Sequence, residues 1–97
     1  MPTDRALFIP LARRWYEGFE NGEKQHEYRR YGARWNERTC AVGRPVVLSL
    51  GYGKQRRMRG VVTGFRIVGP EACTDIRSVY PDGDRFAEIA ITVDILT

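Results

Sequence analysis

A chain of 97 residues, 42% hydrophobic and 29% charged, can build one domain around one core but not two independently stable ones. That composition excludes disorder along the whole length. No window approaches the about 18 consecutive apolar residues of a membrane-spanning helix, so no membrane partner is expected. Sixteen Lys and Arg against twelve Asp and Glu leave a formal charge of +4, and all the cations except Lys24 and Lys54 are Arg. Guanidinium groups meet phosphates bidentately and stack on aromatic faces, which points toward nucleotides or nucleic acid. A GC-rich coding sequence enriches Arg equally well with no partner at all, and composition does not separate the two.

Met1 to Ala6 carries Asp4 and Arg5 ahead of a short apolar run, so no secretory signal is expected. Cys40 and Cys73 form no CxxC pair, and with a single histidine they make no recognisable zinc site. No metal or cofactor is therefore expected. Both thiols read as small buried groups in a reduced, cytoplasmic protein whose single domain spans residues 1–97.

In chain order, Ala6-Leu7-Phe8-Ile9 reads as a buried strand, and Pro10 as the first turn of a helix. Leu11, Trp15 and Phe19 recur at helical spacing, which predicts a helix to about Glu20 with those three residues against the core. Asn21-Gly22 should stop it with a left-handed cap. A second small helix is expected over Ala33 to Arg38, anchored by Trp35. Val46, Leu48 and Leu50 alternate as a strand, and Gly51 to Gln55 makes a hairpin turn. Val61, Thr63, Phe65 and Ile67 predict the next strand, followed by a weak helix or loop over Glu71 to Val79. Tyr80-Pro81 could cap a cleft or end that segment, and is read as the latter. Ile89, Ile91, Val93 and Ile95 give the clearest half-buried strand. The fold class is α+β: a small curved sheet or β-barrel of about five strands with one or two short helices.

Several of these residues also carry a resemblance. Gly22, Lys24, Glu27 and Arg29 form a G-x-K-x-x-E-x-R stretch after a helix, and Val42-Gly43-Arg44-Pro45 leads into the next strand. This resembles the ASCH domain, the branch of the PUA-like superfamily named after activating signal cointegrator homology. Arg44 stands where that family usually has Asp. The likeness runs over residues 6–96, with its specific part confined to about eight positions. It implies a PUA-like barrel and a cleft beside the first helix that takes RNA or a nucleotide-like ligand. One small bacterial type is an amidohydrolase of N4-acetylcytidine that uses a Lys, a Thr three residues later and a distant Glu. Lys24 falls at the first position and Glu27 at the second. Glu71, Asp75 and Glu88 are all candidates for the third.

The residues themselves support two readings of that stretch. Glu27 and Arg29 share one strand face at period two, so with Lys24 they can line a single ligand-binding cleft. Were the protein an enzyme, Lys24 and Glu27 would be its catalytic pair. The plainer reading is an ion-pair ladder on a solvated face. Arg30, Tyr31 and Arg34 interleave cations with aromatics, and Lys54, Arg56 and Arg57 cluster on a turn. Both patterns suit single-stranded nucleic acid, and Arg13-Arg14 could extend the footprint. His26 is alone and is given no catalytic role. Three functional classes follow: an RNA- or nucleotide-binding domain, a small hydrolase acting on a modified nucleoside or RNA in the same cleft, and a phage or mobile-element protein-interaction module.

Overall fold

The computed structural model describes residues 5–94. The expectations placed on Met1 to Asp4 and on Ile95 lie outside them. The element order is β1 (Leu7–Leu11), α1 (Arg13–Glu20), β2 (His26–Arg30), β3 (Pro45–Leu50) and β4 (Arg57–Val68), then a 3-10 turn (Pro70–Ala72), α2 (Thr74–Val79) and β5 (Phe86–Val93). The strands form one curled sheet in the order β1-β3-β4-β5-β2. β1 runs parallel to β3, and every other neighbouring pair is antiparallel. This is the expected α+β class with a small curved sheet.

The core lies on the concave face. Leu7, Ile9 and Leu11 from β1, Val46 and Leu48 from β3, and Ile89 and Ile91 from β5 are all buried there. The alternation read in β3 and β5 thus directs its apolar sets inward. Glu88 is buried too, because β5 is interior to the sheet and its second face is also covered. On that second face Ile76 and Phe86 are fully buried, and the Tyr80 ring lies 5.5 Å from Phe86.

The structure corrects the sequence at five places. Pro10 belongs to β1, not to the helix. β1 is an edge strand, where a residue without an N–H breaks no ladder on its open side. Leu11 is therefore a strand residue, and α1 presents Tyr16 and Phe19 to the core while Trp15 is only partly buried. In β4, Val62 is the buried residue, and a bulge between Val62 and Gly64 returns Phe65 to the core side; Ile67 lies on that same side, opposite Ala87, but near the end of the strand it is exposed. Residues 33–38 form turns and bends rather than a helix. There the Asn36 carboxamide accepts from the backbone of Arg38 and Thr39 and donates to the carbonyls of Gly32 and Ala33, competing directly with helical pairing. Last, Cys40 is fully buried as expected, but Cys73 is only half-buried.

Candidate functional site

The helix stop sets the site in place. Gly22 takes φ of 86°, a left-handed conformation suited to glycine, and turns the chain back so that the Lys24 N–H donates to the Gly18 carbonyl at 2.9 Å. A Cβ at Gly18 would lie 3.1 Å from the Lys24 Cβ, so the helix and the following segment are in close contact. Lys24 is thereby held over aromatic rings, with Nζ 5.1 Å from the centroid of Trp15, 5.4 Å from Phe19 and 5.7 Å from Tyr28.

β2 begins two residues later. Its register places Glu27 opposite Ile89 and Arg29 opposite Ala87, so both turn toward the concave side. Glu27 sits between two cations: Lys24 Nζ is 3.6 Å from Oε1, and Arg29 Nε donates to Oε2 at 2.7 Å. The carboxylate is only 9% exposed, and burial at that level is tolerable because both oxygens face positive charge. Arg29 has two further anchors. Its Nη2 donates to the Pro10 carbonyl at 2.8 Å, and its guanidinium lies 4.9 Å from the centre of the Trp35 ring.

These groups open on one cavity of about 240 Å³ at the outer edge of β2. Lys24, Glu27 and Arg29 line it together with Trp15 and Tyr28, so the structure brings the G-x-K-x-x-E-x-R side chains into one concavity. The end of β1 forms another wall, and α2 closes the far side with Asp75, Ile76 and Val79. Tyr80 also lines the cavity, so it does more than end its segment. Burial pushes its phenol above the ordinary value, which keeps it a neutral hydrogen-bonding group.

Tyr28 has two roles. Its ring borders the cavity, while its hydroxyl donates to Glu88 Oε2 at 2.8 Å on the other sheet face. Burial, and then the bond to Glu88, raise the Tyr28 phenol far above its ordinary value. Burial alone would disfavour the charged Glu88, but the hydrogen bonds from Tyr28 and Arg66, with the Arg66 charge, outweigh it and hold the carboxyl below its ordinary range. Glu88 is therefore committed to Tyr28 and Arg66 and does not line the cavity, nor does Glu71; Asp75 does.

None of Arg30, Tyr31, Arg34, Lys54, Arg56 and Arg57 lines the cavity. Arg30 pairs with Asp82 at 2.7 Å and stacks on Tyr80, so it braces a cavity wall from behind. The Tyr31 hydroxyl donates to Glu37, and Arg34 lies over Trp35. Arg56 pairs with Glu20, whereas Lys54 and Arg57 make no ion pair among the described residues. Within the same residues no three His, Cys, Asp or Glu side chains gather as a metal site requires, and no helix is long and apolar enough to cross a membrane.

The chemistry of the cavity follows from its charges. Glu27 offsets one of its two neighbouring cations, and Asp75 at the wall offsets the other. A phosphate placed inside would meet both carboxylates. A neutral planar ligand would find flat ring faces, a carboxylate to accept from an amine, and an ammonium to donate to a carbonyl. Comparison of the chain with protein-family models and with curated proteins returns no match.

Proposed function

We propose that the protein is an ASCH-type, PUA-like domain that takes a nucleobase, as a nucleoside or as an unpaired base of RNA, into the cavity at the edge of β2. The observation behind this reading is the convergence of Lys24, Glu27 and Arg29 with Trp15, Tyr28 and Tyr80 on one concave space. At about 240 Å³ that space is just below the about 300–1,000 Å³ usual for drug-sized ligands, a size suited to a base with part of its sugar. Glu27 would accept from an exocyclic amine, Lys24 would donate to a ring carbonyl, and the aromatic walls would stack on the base.

Calorimetric titration with the common nucleosides tests it. Binding of at least one of them should be lost in Glu27→Gln and in Lys24→Ala. Equal affinity in the wild type and both variants would remove the cavity from the function.

A hydrolase reading has one observation in its favour. Of the three acidic residues that could serve as a distant partner to Lys24, Asp75 lines the same cavity. An amine and a carboxylate bonded, among the described residues, only to the Cys73 thiol, both facing one space, are the minimum for acyl transfer from a modified base. Against it, Glu27 holds the place at which the amidohydrolases of the family have their Thr, and a carboxylate does not replace that hydroxyl without a change of mechanism.

A further inference from the structure

The geometry points to a second binding surface, separate from the cavity: the convex face of β1, β3 and β4 and the turn above it, which holds a single strand of nucleic acid with Tyr52 as the stacking platform. The inference rests on the nucleobase reading of the protein but uses none of the cavity residues.

Strand register places its members. Phe8 lies opposite Val47, and Val47 opposite Arg59; Pro10 lies opposite Ser49, and Ser49 opposite Arg57. Directly paired residues point to the same side of a sheet, and this side is opposite to that of the buried Ile9 and Leu48. Phe8, Arg57 and Arg59 thus share the convex face. Tyr52 stands at the β3–β4 turn with 81% of its surface exposed, more than any other large hydrophobic side chain of the described residues. Its ring lies 6.4 Å from that of Phe8, and the Arg57 guanidinium lies 5.2 Å from the centre of the Phe8 ring. Arg57 Nε donates to the Gly53 carbonyl at 3.2 Å, which ties the turn to the face.

The charge on this face is uncompensated. Lys54, Arg57 and Arg59 pair with no carboxylate among the described residues, as is also true of Arg14, Arg34, Arg38, Arg44, Arg77 and Arg85 elsewhere on the molecule; what sets this group apart is its place beside Tyr52 and Phe8. Asp94 meets Arg59 only through its backbone, its N–H donating to the Arg59 carbonyl at 2.8 Å. Two cations on the face and one in the turn, with the exposed Tyr52 ring tilted at 40° to the half-buried Phe8 ring, match the charge and the flat faces of a single strand. Along β4, Arg57 and Arg59 are about 6.8 Å apart by the rise of an extended strand, a spacing that lets each meet a successive phosphate. A base on Tyr52 then lies beside the phosphates instead of between them. Because every base has a flat face, such a surface is tolerant of sequence, whereas the cavity discriminates.

Fluorescence anisotropy with a labelled oligouridylate at several salt concentrations tests this. Tyr52→Ala should weaken binding about tenfold, and Tyr52→Trp should retain it. The Arg57→Ala/Arg59→Ala double variant should flatten the salt slope by about 1.4, two single-strand phosphate contacts' worth. Duplex RNA should compete poorly, since its bases are not free to stack. Unchanged oligonucleotide affinity in both variants, or no binding at low salt, would overturn the surface. So would equal displacement by an acidic peptide or by anionic vesicles. Nucleoside titration of the same variants separates the two sites. Tyr52→Ala should leave it unaltered, and loss of nucleoside binding only in the cavity variants would count for the cavity irrespective of the face.

Discussion

Arg29 reaches across the open side of the sheet to donate to the Pro10 carbonyl at 2.8 Å, joining the two edge strands β2 and β1 that share no ladder. The same guanidinium grips Glu27, so the charge centre of the cavity and the closure of the curled sheet depend on one side chain. Arg29→Ala would leave Glu27 with Lys24 as its remaining cation and free the β1 end. The expected cost is about 2–3 kcal/mol in urea unfolding. Arg29→Lys should recover only part of it, because a single ammonium does not serve both acceptors along Arg29's two directions. A cost below about 0.5 kcal/mol for the Ala variant would show that the bridge contributes little.

Gly18 offers a finer probe of the site. Ala improves helix propensity by about 1 kcal/mol, but its Cβ would press on the Lys24 Cβ from 3.1 Å. Gly18→Ala is therefore expected to leave thermal stability nearly unchanged while lowering nucleoside affinity several-fold. A variant that is more stable and binds equally well would mean that Lys24 accommodates the methyl group without moving.

The Tyr28–Glu88–Arg66 cluster gives the fold an acid-sensitive component. The Glu88 carboxyl is held below its ordinary value of 4.5, so its contribution is complete above that value and fades as the pH falls through and below it. Urea midpoints measured from neutral pH downward should show a smaller acid loss in Glu88→Gln than in the wild type, from a lower starting stability. Parallel curves for the two proteins would place the acid sensitivity elsewhere.

The two thiols should differ in chemistry. Cys40 is fully buried, and burial raises its pKa, so it should resist iodoacetamide in the native protein. Cys73 is half-exposed and should be alkylated under the same conditions. Mass spectrometry of the digested protein reads both directly.

Lys24→Arg separates a binder from a catalyst. A binding site needs the positive charge and should keep measurable nucleoside affinity with Arg, at a cost in geometry. On the proposed reading N4-acetylcytidine is expected to bind without turnover in the wild type, because the Glu27 carboxylate supplies no hydroxyl nucleophile. Deacetylation that is robust in the wild type and lost in Lys24→Arg would establish the hydrolase instead.

Periodicity made part of the site legible. Glu27 and Arg29 are two apart, and a strand puts such residues on one face whatever surrounds it. Lys24 follows from the glycine stop before it. Asp75 and Tyr80 carried no such signal, since they meet the cavity only through the long-range packing of α2. Tyr16 was obscured by its neighbour, for Leu11, Trp15 and Phe19 form a convincing helical row until Pro10 and Leu11 are drawn into β1 by pairing with β3. The bulge near Thr63 has one cue, Gly64 inside the strand pattern, but where it falls depends on register with β5. Trp35 does rest against the core, but on a turn built by Asn36.

The parallel pairing of β1 with β3 also governs how the molecule assembles. Leu7 lies opposite Val46, so the first strand finds its place only after α1, β2 and the long turn-rich segment have been looped out. β2 likewise waits for β5, with His26 opposite Ala90. Local hairpin closure is available only to β3 and β4, the one pair with a short connection. A chain dominated by such distant pairings searches longer than a helical one of its size, and refolding on a scale of about milliseconds to seconds is expected. The β3–β4 hairpin, with its exposed tyrosine at the tip, is the natural place for that search to begin.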